Sequence, residues 1–339
     1  MKFKILNSYI STRSLPRNII DQDFNLFSHE LSREIKSTHY LVEKNVTVAN
    51  TFIVKLFPIK IFTKYVYFYR PKLIKIIKDF IKNIIFIQNS EKEKIDITPL
   101  WITDNKTSVY FHFLCDALGR YYLLENDTKG KNLTVIIPKK YEIGWIIEIL
   151  NYLQINFLVL EEKKSYQFNK IYIPYYPAPS GNFHKENILK IREAFIKALP
   201  ENLYSSSPTR KVWVSRSKAR RPVKNYIEIK NFLIDKGFEI VNLEDLSSEE
   251  KIKLMSETKI LAGLHGSGLT NVLFMNKHTY LLDIRDPQDN IKNAFFSLAS
   301  EVKVNYYYFE RENIEDYIIS KTKLENAINQ IEEMITNEK

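Results

Sequence analysis

Cysteine is almost missing from this 339-residue chain, with Cys115 the single example. One thiol excludes an internal disulfide and any multi-cysteine metal site, and it makes a reducing compartment the simpler assumption. Glycine is also scarce, at 8 residues, so any cluster of glycines carries weight. No apolar run approaches the roughly 18 residues of a membrane span. The opening stretch, Met1–Ile10, is too short in apolar residues for a signal sequence. The expectation is a cytoplasmic protein that meets a membrane, if at all, from its inner face. Several catalytic signatures are absent as well. There is no Gly-x-Ser-x-Gly, no His-Glu-x-x-His and no Walker loop, and Gly263, Gly266 and Gly268 are wrongly spaced for the dinucleotide fingerprint. The six histidines are scattered, so no metal site is expected.

What the chain does have is apolar mass and positive charge. Hydrophobic residues make up 45% and aromatics 13%, including 21 Tyr and 21 Phe, enough for two cores of ordinary size. The formal net charge is +10. Such a balance draws nucleic acid, anionic membrane or an anionic substrate. Zinc spacing, RNP aromatics and a heptad-linked basic region are all missing, so nucleic acid is not the expected partner.

Strand-like segments at Val46–Leu56 and Ile59–Tyr69 precede a helical pattern from Lys72 to Ile85. In that pattern Leu73, Ile76, Ile77, Phe80, Ile81, Ile84 and Ile85 share a face, with Lys75, Lys78 and Lys82 elsewhere. Two readings fit: a helix packed on a core with a solvated lysine face, or a basic amphipathic patch against anionic lipid head groups. A helical run at Tyr110–Leu124 follows, then a strand at Asn132–Pro138, a helix at Tyr141–Leu153, and strands at Ile155–Leu160 and Lys170–Pro174. The alternation predicts a parallel α/β layout. Turn chemistry at Tyr176-Pro-Ala-Pro-Ser-Gly181, a helix from Glu186 to Leu199 and the polar Ser205–Pro208 mark a boundary region. The division adopted is an N-terminal domain over 1–185 and a C-terminal domain over 186–339.

The second half is a repeated β-α unit. Strands are expected at Lys211–Ser215, Phe238–Asn242, Lys259–Leu264, Thr279–Ile284 and Lys303–Phe309. Helices are expected at Val223–Lys236, stopped by Gly237, and after a capping-box-like Ser247-Ser-Glu-Glu250. Others are expected at Gly268–Phe274, Ile291–Val302 and, as a long polar tail, Ile314–Thr336. This predicts a Rossmann-like domain.

The most informative stretch is Leu261-Ala-Gly-Leu-His-Gly-Ser-Gly-Leu-Thr-Asn271. A strand turning into a helix N-terminus offers amide N–H groups and a positive dipole end to a phosphate or diphosphate. His265, Gly266, Ser267 and Gly268 form the turn, and Leu269, Thr270 and Asn271 follow, with Thr270 and Asn271 placed to cap or bond a ligand. Arg216, at the end of the first strand of this half, and Arg221, in Arg220-Arg-Pro222 before the next helix, suit phosphate because a planar guanidinium donates two parallel hydrogen bonds. A solvated basic loop is the competing reading. Asp283, at the end of the next strand, is either a ribose acceptor or an ordinary strand-terminating residue. In the first half His112 and Asp116 stand i and i+4 on one helix face. They are either a proton-accepting pair or a structural one.

These motifs, in this order, resemble glycosyltransferase family 61. The C-terminal half carries Ser215-Arg216, Arg221, Gly237-Phe238, His265-Gly-Ser-Gly-Leu-Thr-Asn271 and Asp283, and the N-terminal half carries Tyr110-Phe-His-Phe-Leu-Cys-Asp116 with Arg120. The similarity runs over about residues 95–310. It departs from the family pattern at Asn225-Tyr226, where Asn-Glu is common, at Asp283, where Glu is usual, and at Gly119, where Pro is frequent. The resemblance implies a GT-B fold: two Rossmann-like domains facing across a cleft, with a C-terminal helix. It also implies sugar transfer from a nucleotide-sugar donor, inversion at the anomeric carbon and usually no bound metal or cofactor. The acceptor would be a glycan or lipid-linked glycan, as in capsule or lipopolysaccharide synthesis. The alternative is a non-catalytic glycan- or lipid-head-group-binding protein of the same fold.

Overall fold

The computed structural model describes residues 1–69, 71–124, 133–177, 181–216, 223–287, 293–312 and 317–337. Arg221 lies outside them. So do Ala178, Pro179 and Ser180 of the boundary turn, Asn132, and the first residues of the helices expected at Ile291–Val302 and Ile314–Thr336.

The protein is a mixed α/β structure that divides into two compact units. Unit 1 comprises Met1–Tyr9, Ile35–Ser180 and His184–Ile191; unit 2 comprises Ile10–Glu34, Gly181–Phe183 and Arg192–Lys339. Where the sequence reading draws one cut at 185/186, these units are discontinuous.

Unit 1 is built on a nine-stranded sheet. Its strands are β1 (Lys2–Leu6), β2 (Thr38–Ala49), β3 (Phe52–Leu56), β4 (Ile59–Ile61), β5 (Glu91–Lys94), β6 (Thr98–Leu100), β7 (Leu133–Pro138), β8 (Phe157–Leu160) and β9 (Lys164–Pro174). The order is β8-β7-β6-β9-β2-β3-β4, with β1 on β2 and β5 on β9. The expected parallel layout holds for β8, β7, β6, β5 and β9 only. From β9 onward through β2, β3 and β4 the pairing is antiparallel, as is β1 on β2. The reason is local. Val46–Leu56 is not one strand but the two arms of a hairpin, turned at Asn50, whose φ of 53° is the left-handed conformation that Asn tolerates. The stretch Ile59–Tyr69 likewise stops being a strand at Ile61 and continues as a helical turn, Thr63–Val66.

Helix α1 (Leu73–Asn89) lies on this sheet through Phe80, Ile84 and Ile87, against Ala49 and Val54 of β2 and β3. The core covers only part of its apolar face, and Leu73, Ile77, Ile81 and Ile85 point to solvent. Tyr110–His112, a π turn over Phe113–Ala117 and Leu118–Leu124 run on as helix α2. Helix α3 (Gly144–Tyr152) links β7 to β8.

Unit 2 contains a five-stranded parallel sheet: β10 (Arg210–Val214), β11 (Phe238–Val241), β12 (Thr258–Leu264), β13 (Tyr280–Arg285) and β14 (Asn305–Glu310). Its order is β11-β10-β12-β13-β14, all parallel. β12 and β13 are almost wholly buried, as expected for strands covered on both faces. Helix α4 (Tyr226–Asp235) ends at Gly237, whose φ of 77° supplies the left-handed cap. Helix α5 (Ser248–Glu257) opens with the reciprocal capping box of Ser247 and Glu250. The segment Ser267–Phe274 is a 3-10 helix rather than an α-helix. Helices α6 (Ala294–Glu301) and α7 (Lys321–Asn337) complete the unit, α7 contributing Leu324, Ile328 and Ile331 to the core.

Residues 10–34 belong to unit 2 for visible reasons. The buried Arg13 guanidinium bonds Glu30 at 2.5 Å, Ser297 at 3.1 Å and Glu301 at 3.3 Å. Phe27 packs its ring on Phe296 and Tyr308.

Candidate functional site

In unit 2 the strand order reverses direction between β10 and β12. Ligands of open parallel sheets bind outside the carboxyl ends of strands at such a switch point. The two chain segments leaving those ends are Ser215-Arg216 and His265-Gly-Ser-Gly268. They meet directly: Arg216 Nη2 donates to the His265 carbonyl at 2.5 Å. A Cβ on Gly266 would stand 2.0 Å from that Nη2, so the end of the guanidinium occupies the space over a bare Cα. Gly268 is excluded from carrying a side chain by the backing strand, since its Cβ would be 2.7 Å from Val214 Cγ1. Leu269 N–H closes the first helical bond to Gly266 O at 2.9 Å. The amides ahead of it are the ones a helix start leaves without an internal acceptor. Asn271 Nδ2 bonds Gly268 O at 2.9 Å and fixes the turn, while the buried Thr270 Oγ1 has no hydrogen-bond partner. Leu269 is core.

His265 is oriented from behind. Its Nδ1 lies 2.9 Å and 3.2 Å from the two Asp283 oxygens, and its ring sits edge-on to Phe295. Nδ1–H therefore donates to the carboxylate, which leaves Nε2 as the other ring nitrogen. Asp283 is fully buried and also accepts from Tyr306 OH at 2.8 Å. Burial pushes its pKa up, but His265, Arg285 and Tyr306 outweigh that and hold it below the ordinary carboxylate value. Burial and the Asp283 charge raise the Tyr306 hydroxyl well above its usual value. Asp283, open from its position to either a ribose or a strand-end role, is buried and bonded to His265 and Tyr306 in this structure. It acts on the turn through His265.

In unit 1, His112 and Asp116 are paired as their spacing predicts, Nδ1 to Oδ2 at 2.7 Å. Asp116 sits in the π turn, an irregularity found frequently at functional sites. The two side chains are not equivalent. Asp116 is 1% exposed and His112 14%, so the imidazole is the member facing outward. It is wedged edge-on against Phe68. Asp116 Oδ1 is buried without a partner. Burial raises the Asp116 pKa to about 6; the His112 hydrogen bond and charge pull it down, the neighbouring Asp104 pushes it up, and Arg120 pulls it down.

Arg120 cannot offset that burial by direct contact, because its guanidinium is committed to backbone. It donates to the carbonyls of Pro174 (3.0 Å), Ile102 (3.0 Å), Thr103 (3.3 Å) and Tyr65 (3.0 Å), with its face over the Tyr176 ring. Tyr176 OH in turn donates to Asp104 Oδ2 at 2.7 Å. Asp104, Tyr176, Phe68, Tyr306 and Arg285 complete the two pairs and were not singled out from sequence. The only available signals were an Asp after a buried strand end and a Tyr-Tyr-Tyr run, both common in cores.

A cavity of about 780 Å³ opens in unit 1 beyond the ends of β7 and β8, but neither His112 nor Asp116 lines it. Among the described residues no group of three or more His, Cys, Asp or Glu is gathered as a metal-ligand set, and no helix is long and apolar enough to cross a membrane.

No curated protein matches the chain. The family model described as Glycosyltransferase 61 matches residues 110–282, a little over half of the sequence. The match starts at the helix bearing His112 and Asp116 and takes in Arg216 and the whole His265–Asn271 turn. This protein therefore belongs to glycosyltransferase family 61, and with it to the sugar-transferring enzymes.

Proposed function

We propose that the protein is an inverting glycosyltransferase that moves a sugar from a nucleoside-diphosphate sugar to a hydroxyl of a glycan or lipid-linked glycan. The observation that carries this reading is the switch-point turn of unit 2, where Arg216 meets the His265 carbonyl and the bare Cα of Gly266, one residue before the helix start at Ser267. That arrangement suits a diphosphate, an anion met by a guanidinium fork and by helix-start N–H groups together. Arg221, in the same loop by sequence, would add a second cation. His265 Nε2 would donate to a phosphate oxygen when the ring is protonated. Thr270 and Asn271 shape the turn from beneath.

In this mechanism His112 Nε2 takes the proton from the acceptor hydroxyl. Asp116 accepts the Nδ1 hydrogen and so fixes the tautomer and the ring's direction. The acceptor oxygen forms its bond to the anomeric carbon on the face opposite the diphosphate. The bond from that carbon to the phosphate oxygen breaks, and the diphosphate leaves with the electron pair. Its growing charge is met by Arg216 and the amides, which are positioned before the reaction and need not reorganise, with Arg221 as the second cation that the loop's sequence supplies. No metal is called for in this scheme. The reading includes a GT-B arrangement of the two units, a cytoplasmic location at the inner face of a membrane, and a place in surface-polysaccharide synthesis.

Calorimetric titration with a panel of nucleoside diphosphates, in the presence of a chelator, tests it. Wild type is expected to bind at least one of them, and Arg216→Ala to weaken that binding at least about tenfold, the scale of a lost charge-assisted hydrogen bond. If no nucleoside diphosphate binds, or if Arg216→Ala binds as wild type does, the diphosphate role is wrong.

A further inference from the structure

Helix α1 has more apolar surface than the fold uses. Its inner residues Phe80, Ile84 and Ile87 are taken by the sheet. Beside them Leu73, Ile77, Ile81 and Ile85 recur at every fourth position, which on a helix makes one continuous stripe. They are 68%, 47%, 51% and 54% exposed, and Ile74, next to the first of them, is 67% exposed. Scattered exposed apolar side chains need no explanation, but a stripe along a 17-residue helix does.

The charges around the stripe say what covers it. Lys78 and Lys82 border the stripe, with Lys75 beyond them and Lys72 at the start of the helix; all are exposed. The helix's one acid, Asp79, is turned away and held by Tyr67 and Lys75. Lys75 and Lys82 also line the cavity beyond β7 and β8, where Lys139, Lys140 and Lys163 join them beside Asp79 and Glu162. Lys75 is paired with Asp79 and Lys139 with Glu142, but lysines outnumber acids, so this flank of the stripe is net positive. A second copy of the same helix would bring these lysines together, whereas an anionic lipid surface matches both the apolar stripe and its cationic edge. Lysine stems reach up along such a surface while the stripe settles at the head-group boundary.

We infer that α1 docks the protein onto anionic phospholipid, lying in the plane of the interface with Leu73, Ile74, Ile77, Ile81 and Ile85 inserted. This deepens the membrane-side part of the proposed function by naming its surface. It does not depend on the identity of donor or acceptor.

Sedimentation with vesicles tests it, using pure phosphatidylcholine and an equimolar mixture with phosphatidylglycerol. Wild type is expected to pellet with the mixed vesicles, to be released by salt, and to stay in solution with phosphatidylcholine alone. The double variant Ile77→Ser/Ile81→Ser is expected to lower the bound fraction about tenfold, because insertion strength follows buried apolar area. Ile227→Ser, at another exposed isoleucine in unit 2 (74% exposed), should bind vesicles as wild type does. Circular dichroism and nucleoside-diphosphate affinity should be unchanged in all three proteins. That separates a failure of docking from a failure of the transfer reading. Equal binding by the stripe variant, equal binding to neutral vesicles, or a wild-type dimer that the stripe variant dissociates would each overturn the inference.

Discussion

Each unit holds a histidine backed by an aspartate, and the two pairs are built to opposite electrostatic ends. In unit 2, Asp283 is fully buried yet its pKa is held below the ordinary value, because His265, Arg285 and Tyr306 stabilise the charge more than burial opposes it. In unit 1, Asp116 is equally buried, but its hydrogen bond comes from His112 alone and one oxygen has no partner. Burial therefore wins and raises it to about 6. The same two residue types give a brace held in its ionised form in one place and a carboxyl that titrates near pH 6 in the other. Surroundings decide the role, through the number of donors aimed at the carboxylate. A brace suits a turn that must hold its shape around an anion. A titrating pair suits proton transfer.

The largest expected effect separates the two. His112→Ala should lower kcat by about 10²–10⁴-fold, the usual contribution of a general base, with nucleoside-diphosphate affinity unchanged. A variant with normal kcat would remove unit 1's pair from the chemistry.

Asp116→Asn should follow, at about 10²-fold in kcat, and it carries a pH signature. The native carboxyl holds its proton up to about pH 6 while the unfolded chain releases it near 3.8. The folded state therefore binds more protons in that interval, and stability falls as pH rises through it. Melting temperature against pH should show this decline in wild type and not in Asp116→Asn. The acid limb of kcat near pH 6 should go with it.

Asp283→Asn should behave in the opposite sense. The stabilisation from its lowered pKa is present above about 3.8 and is lost as pH falls through the folded value. Urea denaturation at neutral pH should show a loss of about 2 kcal/mol, from a charged hydrogen-bond network left incomplete. If its stability curve instead resembled that of Asp116→Asn, the contrast between the two pairs would fail.

The smallest effect is the most local. Gly266→Ala places a methyl where the end of the flexible Arg216 side chain now lies, so the guanidinium must shift. Nucleoside-diphosphate affinity should fall about tenfold, equivalent to about 1.4 kcal/mol, with melting temperature unchanged. Unaltered affinity would show that Arg216's present position is not the one that serves binding.

Much of unit 2 is legible in the sequence. Strand and helix order, the Gly237 cap, the Ser247–Glu250 box and the meeting of Arg216 with the His265 turn all rest on local signals, which parallel β-α units supply in series. Unit 1 was less legible because its topology hinges on one turn. Asn50, in a run of β-branched and aromatic residues, converts what looks like one long strand into two antiparallel ones. The His112–Asp116 pair followed from helical spacing, but which member faces outward did not. That depends on Asp104, a loop away, and on Phe68 and Tyr176, which come from more distant parts of the chain. For α1 the periodicity was correct and the depth of burial was not, since a pattern reports which residues share a face and not how much of that face a neighbour covers.

The four carbonyls gathered by Arg120 lie 54, 18, 17 and 55 positions away along the chain. Closing loops of that length costs entropy that is recovered only when all the acceptors arrive. The helix carrying the proposed proton acceptor is thus expected to lock late, once the chain has been made and folded as far as Pro174. A growing or clipped polypeptide would be left with an unquenched cation in place of a packed helix, which would tie the onset of the proposed chemistry to the completion of the fold around it.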